Sequence, residues 1–267
     1  MRSSRWMLVG VAALVAGASY AQESRVVSDE GWCRQDGGSR NGARHCEVRE
    51  AKLPAGGLLV VDARPNGGIE VRGWDRDEVR LRAMIVATAE TADEARALAG
   101  EVQLDTTGTI HATGPRQDRR GFWVSYRLDV PRGQALRLQA DNGGLHLSRL
   151  TGDVELSTVN GGLHLDQVGG HIHGRTVNGG IHVELSGSEW DGEGVELETT
   201  NGGLHLELPS DYNARLEAST VNGGVQSDVP STGKGRQRGG RVAVELGRGG
   251  PLLRFETTNG GLHIAQR

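Results

Sequence analysis

Asn-Gly-Gly occurs seven times in this chain, beginning at Asn66, Asn142, Asn160, Asn178, Asn201, Asn222 and Asn259. Five copies run on into an apolar residue and a histidine, giving His146, His164, His182, His205 and His263. From Asn142 onward the intervals are 18, 18, 23, 21 and 37 residues. Two equal intervals followed by stretched ones describe a structural repeat with insertions between its copies. A unit this short cannot bury its own apolar face and must stack on its neighbours. That requirement constrains the fold more than any other feature of the sequence.

One full unit reads LHLSRLTGDVELSTVNGG. Leu145 and Leu147 alternate with polar residues, as do Val154, Leu156 and Thr158. Turns at Thr151-Gly152-Asp153 and at Asn160 separate the two runs. Strict alternation marks half-buried strands. Two strands and two turns per unit predict an all-β fold, a parallel β-solenoid or β-helix-like repeat, densest over 136–267. Asn-Gly is also the strongest hairpin signal, through a type I′ turn, so an antiparallel meander is the competing arrangement. Thr158, Thr176, Thr199, Thr220 and Thr257 each stand two residues before an asparagine. Identical residues at equivalent places suit ladders of their own kind, which favours the parallel repeat. Insertions then fall in loops, SGSEWDGEG at 186–194 and a longer one over 230–250.

Residues 22–50 are polar and weakly periodic, and read as an N-terminal segment ahead of a single β-strand-repeat domain over 51–267. Leu58 to Asp62 is the first strand-like run. Ile69 and Val71, then Val79, Leu81 and Ala83, alternate with charged residues around a turn at Gly73-Trp74-Asp75. Thr91 with Glu94 three residues on forms a capping box. Asp93 and Glu94 favour a helix start, and Gly100 marks the stop. One short helix over 91–100 is therefore expected in the N-terminal half. Strands resume near 102–104 and 109–111. Phe122, Val124, Tyr126, Leu128 and Val130 share one face of a longer strand.

The compartment is legible at the N-terminus. Arg2 and Arg5 precede an apolar run from Trp6 to Ala16, too short to span a bilayer comfortably. Ser19-Tyr20-Ala21 supplies the small residues of a cleavage site. Residues 1–21 read as a signal peptide, a retained anchor being the alternative, and the protein is expected in the periplasm or outside the cell. Losing Arg2 and Arg5 takes the formal net charge from −4 to −6, which speaks against nucleic acid as a partner. Cys33 and Cys46 are the only cysteines. In an exported protein such a pair reads as one disulfide, contributing about 3 kcal/mol by closing its loop. Glycine makes up 42 of 267 residues and aromatics only 4%, so the core must be narrow and built from Val, Leu and Ile.

Stacking in register would turn outward residues into columns. One reads His146, His164, His182, His205, Gln226, His263, and two residues further along runs Ser148, Asp166, Glu184, Glu207, Asp228, Ala265. Strands stack ~4.8 Å apart, which brings imidazoles and carboxylates side by side. No metal ligand set is assigned. His146, His164, His182 and His205 with Asp166, Glu184 and Glu207 are the candidate ligands for a divalent ion such as zinc. The competing reading is a solvated outer face. Stacked carboxylates repel, which raises their pKa values unless a cation or the histidines relieve them. On the opposite strand of each unit the column is Arg137, Glu155, His173, Glu196, Glu217, Arg254, with His171 and His173 pointing away from the first histidine column.

The NGG-(L/I)-H-(L/V) pattern, the TVNGG and TTNGG turns, the strand–helix–strand segment before them and the closing GRGGPLLRFETTNGGLHI resemble the putative-adhesin family of bacterial β-strand-repeat (β-solenoid) proteins, a domain of unknown function. The resemblance covers about residues 50 to 267. It implies a β-helix-like exported or envelope domain and supplies no catalytic residues.

Enzyme signatures are missing from the sequence. There is no G-x-S-x-G, P-loop or H-E-x-x-H. Some parallel β-helices cleave acidic polysaccharides with clustered acids and a basic residue, and Arg175 is the candidate base for that alternative. The 230–250 loop carries Lys234, Arg236, Arg238 and Arg241, suited to anionic headgroups or simply solvated. The expectation is a non-catalytic, adhesin-like or envelope-associated binding or structural protein without a cofactor. Its partner would be a cell-envelope or surface component such as a glycan. Self-association is expected through the C-terminal unit, Leu262 to Ile264, which lacks an evident cap.

Overall fold

The computed structural model describes residues 24–35, 42–115, 120–229, 236–238 and 240–267. The expected signal peptide and Lys234 lie outside the described residues. The chain enters through β1 (Arg25–Val27), α1 (Glu30–Gln35) and β2 (Ala43–Pro54). There follow β3 (Leu58–Asp62), β4 (Ile69–Trp74), β5 (Glu78–Ala89), α2 (Ala92–Glu101), β6 (Gln103–Asp105), β7 (Thr109–Thr113) and β8 (Gly121–Pro131). Strands then come in pairs: β9 (Ala135–Gln139) with β10 (Leu145–Ser148), β11 (Asp153–Thr158) with β12 (Leu163–Asp166), and β13 (His171–Asn178) with β14 (Ile181–Glu184). The next pairs are β15 (Gly194–Asn201) with β16 (Leu204–Leu208) and β17 (Ala214–Asn222) with β18 (Val225–Ser227). The chain ends with β19 (Arg236–Arg238), β20 (Arg241–Leu246), β21 (Leu252–Asn259) and β22 (Leu262–Gln266).

These strands make two eleven-stranded sheets. Sheet A runs β1-β2-β5-β8-β4-β10-β12-β14-β16-β22-β18, and sheet B runs β19-β20-β17-β21-β15-β13-β11-β9-β3-β7-β6. Each Asn-Gly-Gly turn carries the chain from sheet B to sheet A. Neighbouring units pair in parallel, Leu145 against Leu163 and Val154 against Ile172. The meander is thereby excluded. Inward residues of both sheets, among them Leu145, Leu147, Val154 and Leu156, form one apolar core as the alternation predicts. β3 and β4 add a first unit around Asn66, whose backbone bridges to Asn142.

The parallel repeat is only part of the fold. β2, β5 and β8 pair antiparallel, and β8 separates β4 from β5, which the sequence had suggested as neighbours. β2 runs across residue 50, the expected end of the N-terminal segment, and lies within sheet A. Here both faces of sheet A are covered. Met84 and Val86 pack outward with Trp32 and Val48, while Ile85 and Ala87 pack into the main core. This explains why alternation fails at 84–87. The Cys33–Cys46 disulfide ties α1 to β2 with Cα atoms 5.9 Å apart. The helix α1 was not anticipated. α2 has the expected capping box, Glu94 N–H donating to the Thr91 hydroxyl and Thr91 N–H to the Glu94 carboxylate. It ends where Arg49 donates to the carbonyls of Ala99 and Val102, since its last turn holds no basic residue.

The order of the last units also differs from sequence order. β21 and β22 insert between β15/β16 and β17/β18. The C-terminal unit is therefore interior and hydrogen-bonded on both sides, and cannot supply the expected free edge. The charges on sheet B suit this order. Sequence order would set Glu196 beside Glu217, whereas the observed order places Arg254 between them, 3.2 Å from Glu196 and 3.7 Å from Glu217. The 230–250 insertion is likewise more than a loop: β20 pairs antiparallel with β17 and covers that edge of sheet B. Arg241 sits 3.5 Å from Glu217.

Candidate ligand-binding groove

The Asn-Gly-Gly corner is built from three ladders. Each asparagine amide donates to the side-chain oxygen of the asparagine one unit away: Asn142 to Asn66 (3.0 Å), Asn160 to Asn142 (2.8 Å), Asn178 to Asn160 (2.9 Å), Asn201 to Asn178 (2.9 Å), Asn259 to Asn201 (2.8 Å) and Asn222 to Asn259 (2.9 Å). Inside the corner the buried threonines donate to the first-glycine carbonyl of the adjacent unit, as Thr176 does to Gly161 at 2.7 Å and Thr199 to Gly179 at 2.8 Å. The first glycine itself is enforced by backbone approach. A Cβ on Gly179 would lie 2.1 Å from the Gly161 carbonyl oxygen, and one on Gly202 2.0 Å from that of Gly179.

The second glycine varies along the stack: a Cβ would lie 3.0 Å from a carbonyl oxygen at Gly162 and 3.3 Å at Gly180, and the crowding eases further along. A Cβ on Gly203 would come no nearer than 3.6 Å to another atom, on Gly261 3.8 Å, and on Gly224 it would meet nothing within 4 Å. None of these three has a left-handed φ. Neither backbone conformation nor packing calls for glycine there. Their shared property is position: the second glycines line one groove of about 810 Å³ together with His146, His164, His182, His205 and His263.

The histidines stand in the order the registers dictate, His146, His164, His182, His205, His263, with Gln226 beyond. Their ring centroids are 5.3, 4.6, 4.9 and 4.7 Å apart. The first three pairs are stacked face to face, and His263 is tilted by 36° against His205. Burial and the charge that His164 would carry hold His146 below the usual imidazole pKa. Burial, His164 and His205 do the same at His182. Five adjacent imidazoles thus resist protonation at two places in the stack.

The carboxylate column forms from Ser148 through Asp166, Glu184 and Glu207 to Ala265, without Asp228, which was expected between the last two and is outside the paired residues of β18. Repulsion does not dominate it. His205 Nε2 lies 2.8 Å from Glu207 Oε1, and that hydrogen bond holds Glu207 below the usual carboxylate range rather than above it. Since a carboxylate only accepts, Nε2 of His205 carries its hydrogen. In the neutral ring Nδ1 then accepts from His263 Nδ1–H, 2.8 Å away, leaving His263 Nε2 as an acceptor. Glu184 is ion-paired with Arg267, which also donates to the Leu185 carbonyl at 3.0 Å. That pair is not legible in the sequence, because it depends on the interior place of the last unit.

Among the described residues no three His, Cys, Asp or Glu side chains converge on a point where a metal ion would sit. His146, His164, His182 and His205 form a line, and Glu184 and Glu207 are held by Arg267 and His205. Arg175 lies on sheet B, beside Ser157, whereas Asp166, Glu184 and Glu207 lie on sheet A. The base and acids of the polysaccharide-cleaving alternative therefore belong to opposite sheets. His171 and His173 are exposed on sheet B, with His173 Nδ1 3.9 Å from Glu196. Among the described residues no helix is long and apolar enough to cross a membrane.

No protein-family model and no curated protein sequence matches the chain. Among solved structures, the chain is similar to a putative cell adhesion protein from Clostridium sporogenes, at 10% identity and a TM-score of 0.46 over 84% of this chain and 100% of that one. It is similar also to a putative adhesin from Bacteroides fragilis, at 10% identity and a TM-score of 0.36 over 86% and 100%. A putative lipid binding protein from Parabacteroides distasonis has 12% identity and a TM-score of 0.33 over 84% and 98%.

Proposed function

We propose that this is an exported, non-catalytic β-solenoid that serves as an adhesin-like binding scaffold, holding a cell-envelope or surface component in its histidine groove. One observation carries the reading: second glycines and imidazoles recur unit after unit along one groove, and at Gly203, Gly224 and Gly261 neither packing nor backbone conformation calls for glycine. The disulfide suits an oxidising compartment. The separation of Arg175 from the carboxylate column leaves the cleavage chemistry without an acid–base pair. Capture from a cell-envelope extract tests the reading. The purified protein retains a component that the groove-filled variant Gly203→Leu does not retain. Equal capture by both proteins removes the groove from the account.

A further inference from the structure

Resting on that reading, we infer that the groove takes an uncharged, unbranched polysaccharide lying along the stacking direction, one sugar to each repeat unit. Imidazole centroids recur every 4.6 to 5.3 Å, as the ~4.8 Å separation of strands requires. That is about the advance of one pyranose along an extended chain. An extended peptide advances only ~3.3 Å per residue and drifts out of step within a few units.

Hydrogen-bonding chemistry narrows the class further. His146, His164 and His182 have no hydrogen-bond partner at either ring nitrogen among the described residues. A neutral imidazole offers one donor and one acceptor together. A sugar hydroxyl offers the same pair, so each ring can be matched on both nitrogens. An acyl chain matches neither, and desolvating unpaired ring nitrogens is unfavourable. The second glycines leave flat backbone on which the C–H face of a sugar can lie, where any side chain would stand in its way.

Charge excludes the acidic polymers. Among the described residues no Asp, Glu, Lys or Arg side chain lines the groove, and the Asp166, Glu184 and Glu207 column runs two residues beyond the histidines. A polyanion laid along the stack meets like charge there, reduced where Glu184 pairs with Arg267 but uncompensated at Asp166 and Glu207 while His205 is neutral.

The test uses the purified protein and a panel of neutral linear oligosaccharides of several linkages, from disaccharide to hexasaccharide, with a galacturonate hexamer as the acidic comparison. Binding is read by calorimetry or ligand-detected NMR. One neutral series should gain about tenfold or more in affinity between two and five sugars and then level off. The galacturonate hexamer should bind about tenfold more weakly, and Gly203→Leu should lose about tenfold at an unchanged melting temperature. His164→Ala/His182→Ala serves as a second variant with the same expected loss. Failure of every neutral series, affinity independent of length, or tighter binding of the acidic hexamer overturns the inference. If envelope capture still depends on Gly203 in that event, the scaffold reading stands and only the ligand class is wrong.

Discussion

The amide of Asn160 donates to the side-chain oxygen of Asn142 across 2.8 Å, and that oxygen belongs to a residue whose own amide donates onward to Asn66. Six such bonds join seven asparagines in one direction along the corner. Each amide in the interior of the ladder makes two bonds, and Asn222, at its end, donates to Asn259 alone. With about 0.5–1.5 kcal/mol per hydrogen bond, Asn178→Ala should cost roughly twice what Asn222→Ala costs. Denaturant unfolding of the two variants measures the ratio.

The two glycines of a corner should respond differently to the same methyl group. Gly202→Ala puts a Cβ where the Gly179 carbonyl stands, and relief requires neighbouring units to part. A loss of roughly 3 kcal/mol is expected, the upper end of overpacking costs. Gly203→Ala, one residue on, meets nothing nearer than 3.6 Å and should stay within about 0.5 kcal/mol of the parent protein. Thermal unfolding of the pair separates the residue the fold requires from the residue the groove requires.

Acid should weaken the protein through the histidine stack. His182 has its folded pKa below the unfolded value, so the unfolded chain takes up the proton first. Above about pH 6.5 both states are neutral at this ring and its full contribution is present. As pH falls through that value and on through the folded pKa, stability is lost. Glu207, also lowered, acts in a separate window, since its contribution goes only below the usual carboxylate pKa of about 4.3. Melting temperatures measured between about pH 7.5 and about pH 5 should fall in the parent protein and fall less in His182→Gln.

Much of this fold was legible because its determinants are local and periodic. Leu145, Leu147, Val154 and Leu156 declare their strands by alternation, and Thr91 with Glu94 declares the start of α2. The histidine column from His146 to His205 followed from register once parallel stacking was chosen, but Gln226 was expected between His205 and His263 and lies beyond His263 instead. What escaped the sequence depends on partners distant along the chain. β17/β18 and β21/β22 carry the same motif, so pattern could not order them. The alternation of Glu196, Arg254 and Glu217 was the one signal, visible only if charge pairing was weighed against chain order. Residues 84–87 lost their alternation because Trp32 and Val48 cover the outer face, and nothing near residue 84 announces that cover. The two glycines of each corner look alike in sequence. At Gly202 and Gly203 only the backbone distances separate the one that permits stacking from the one that keeps the groove open.

The central claim is that ligand occupies the sheet A groove and leaves sheet B untouched. Imidazole nitrogen and carbon resonances of the purified protein, followed by NMR as the captured envelope component is added, test it most directly. The account predicts saturable shifts at His164, His182 and His205 with His171 and His173 unmoved. Shifts confined to His171 and His173, or saturable binding that moves none of the groove histidines, would contradict it.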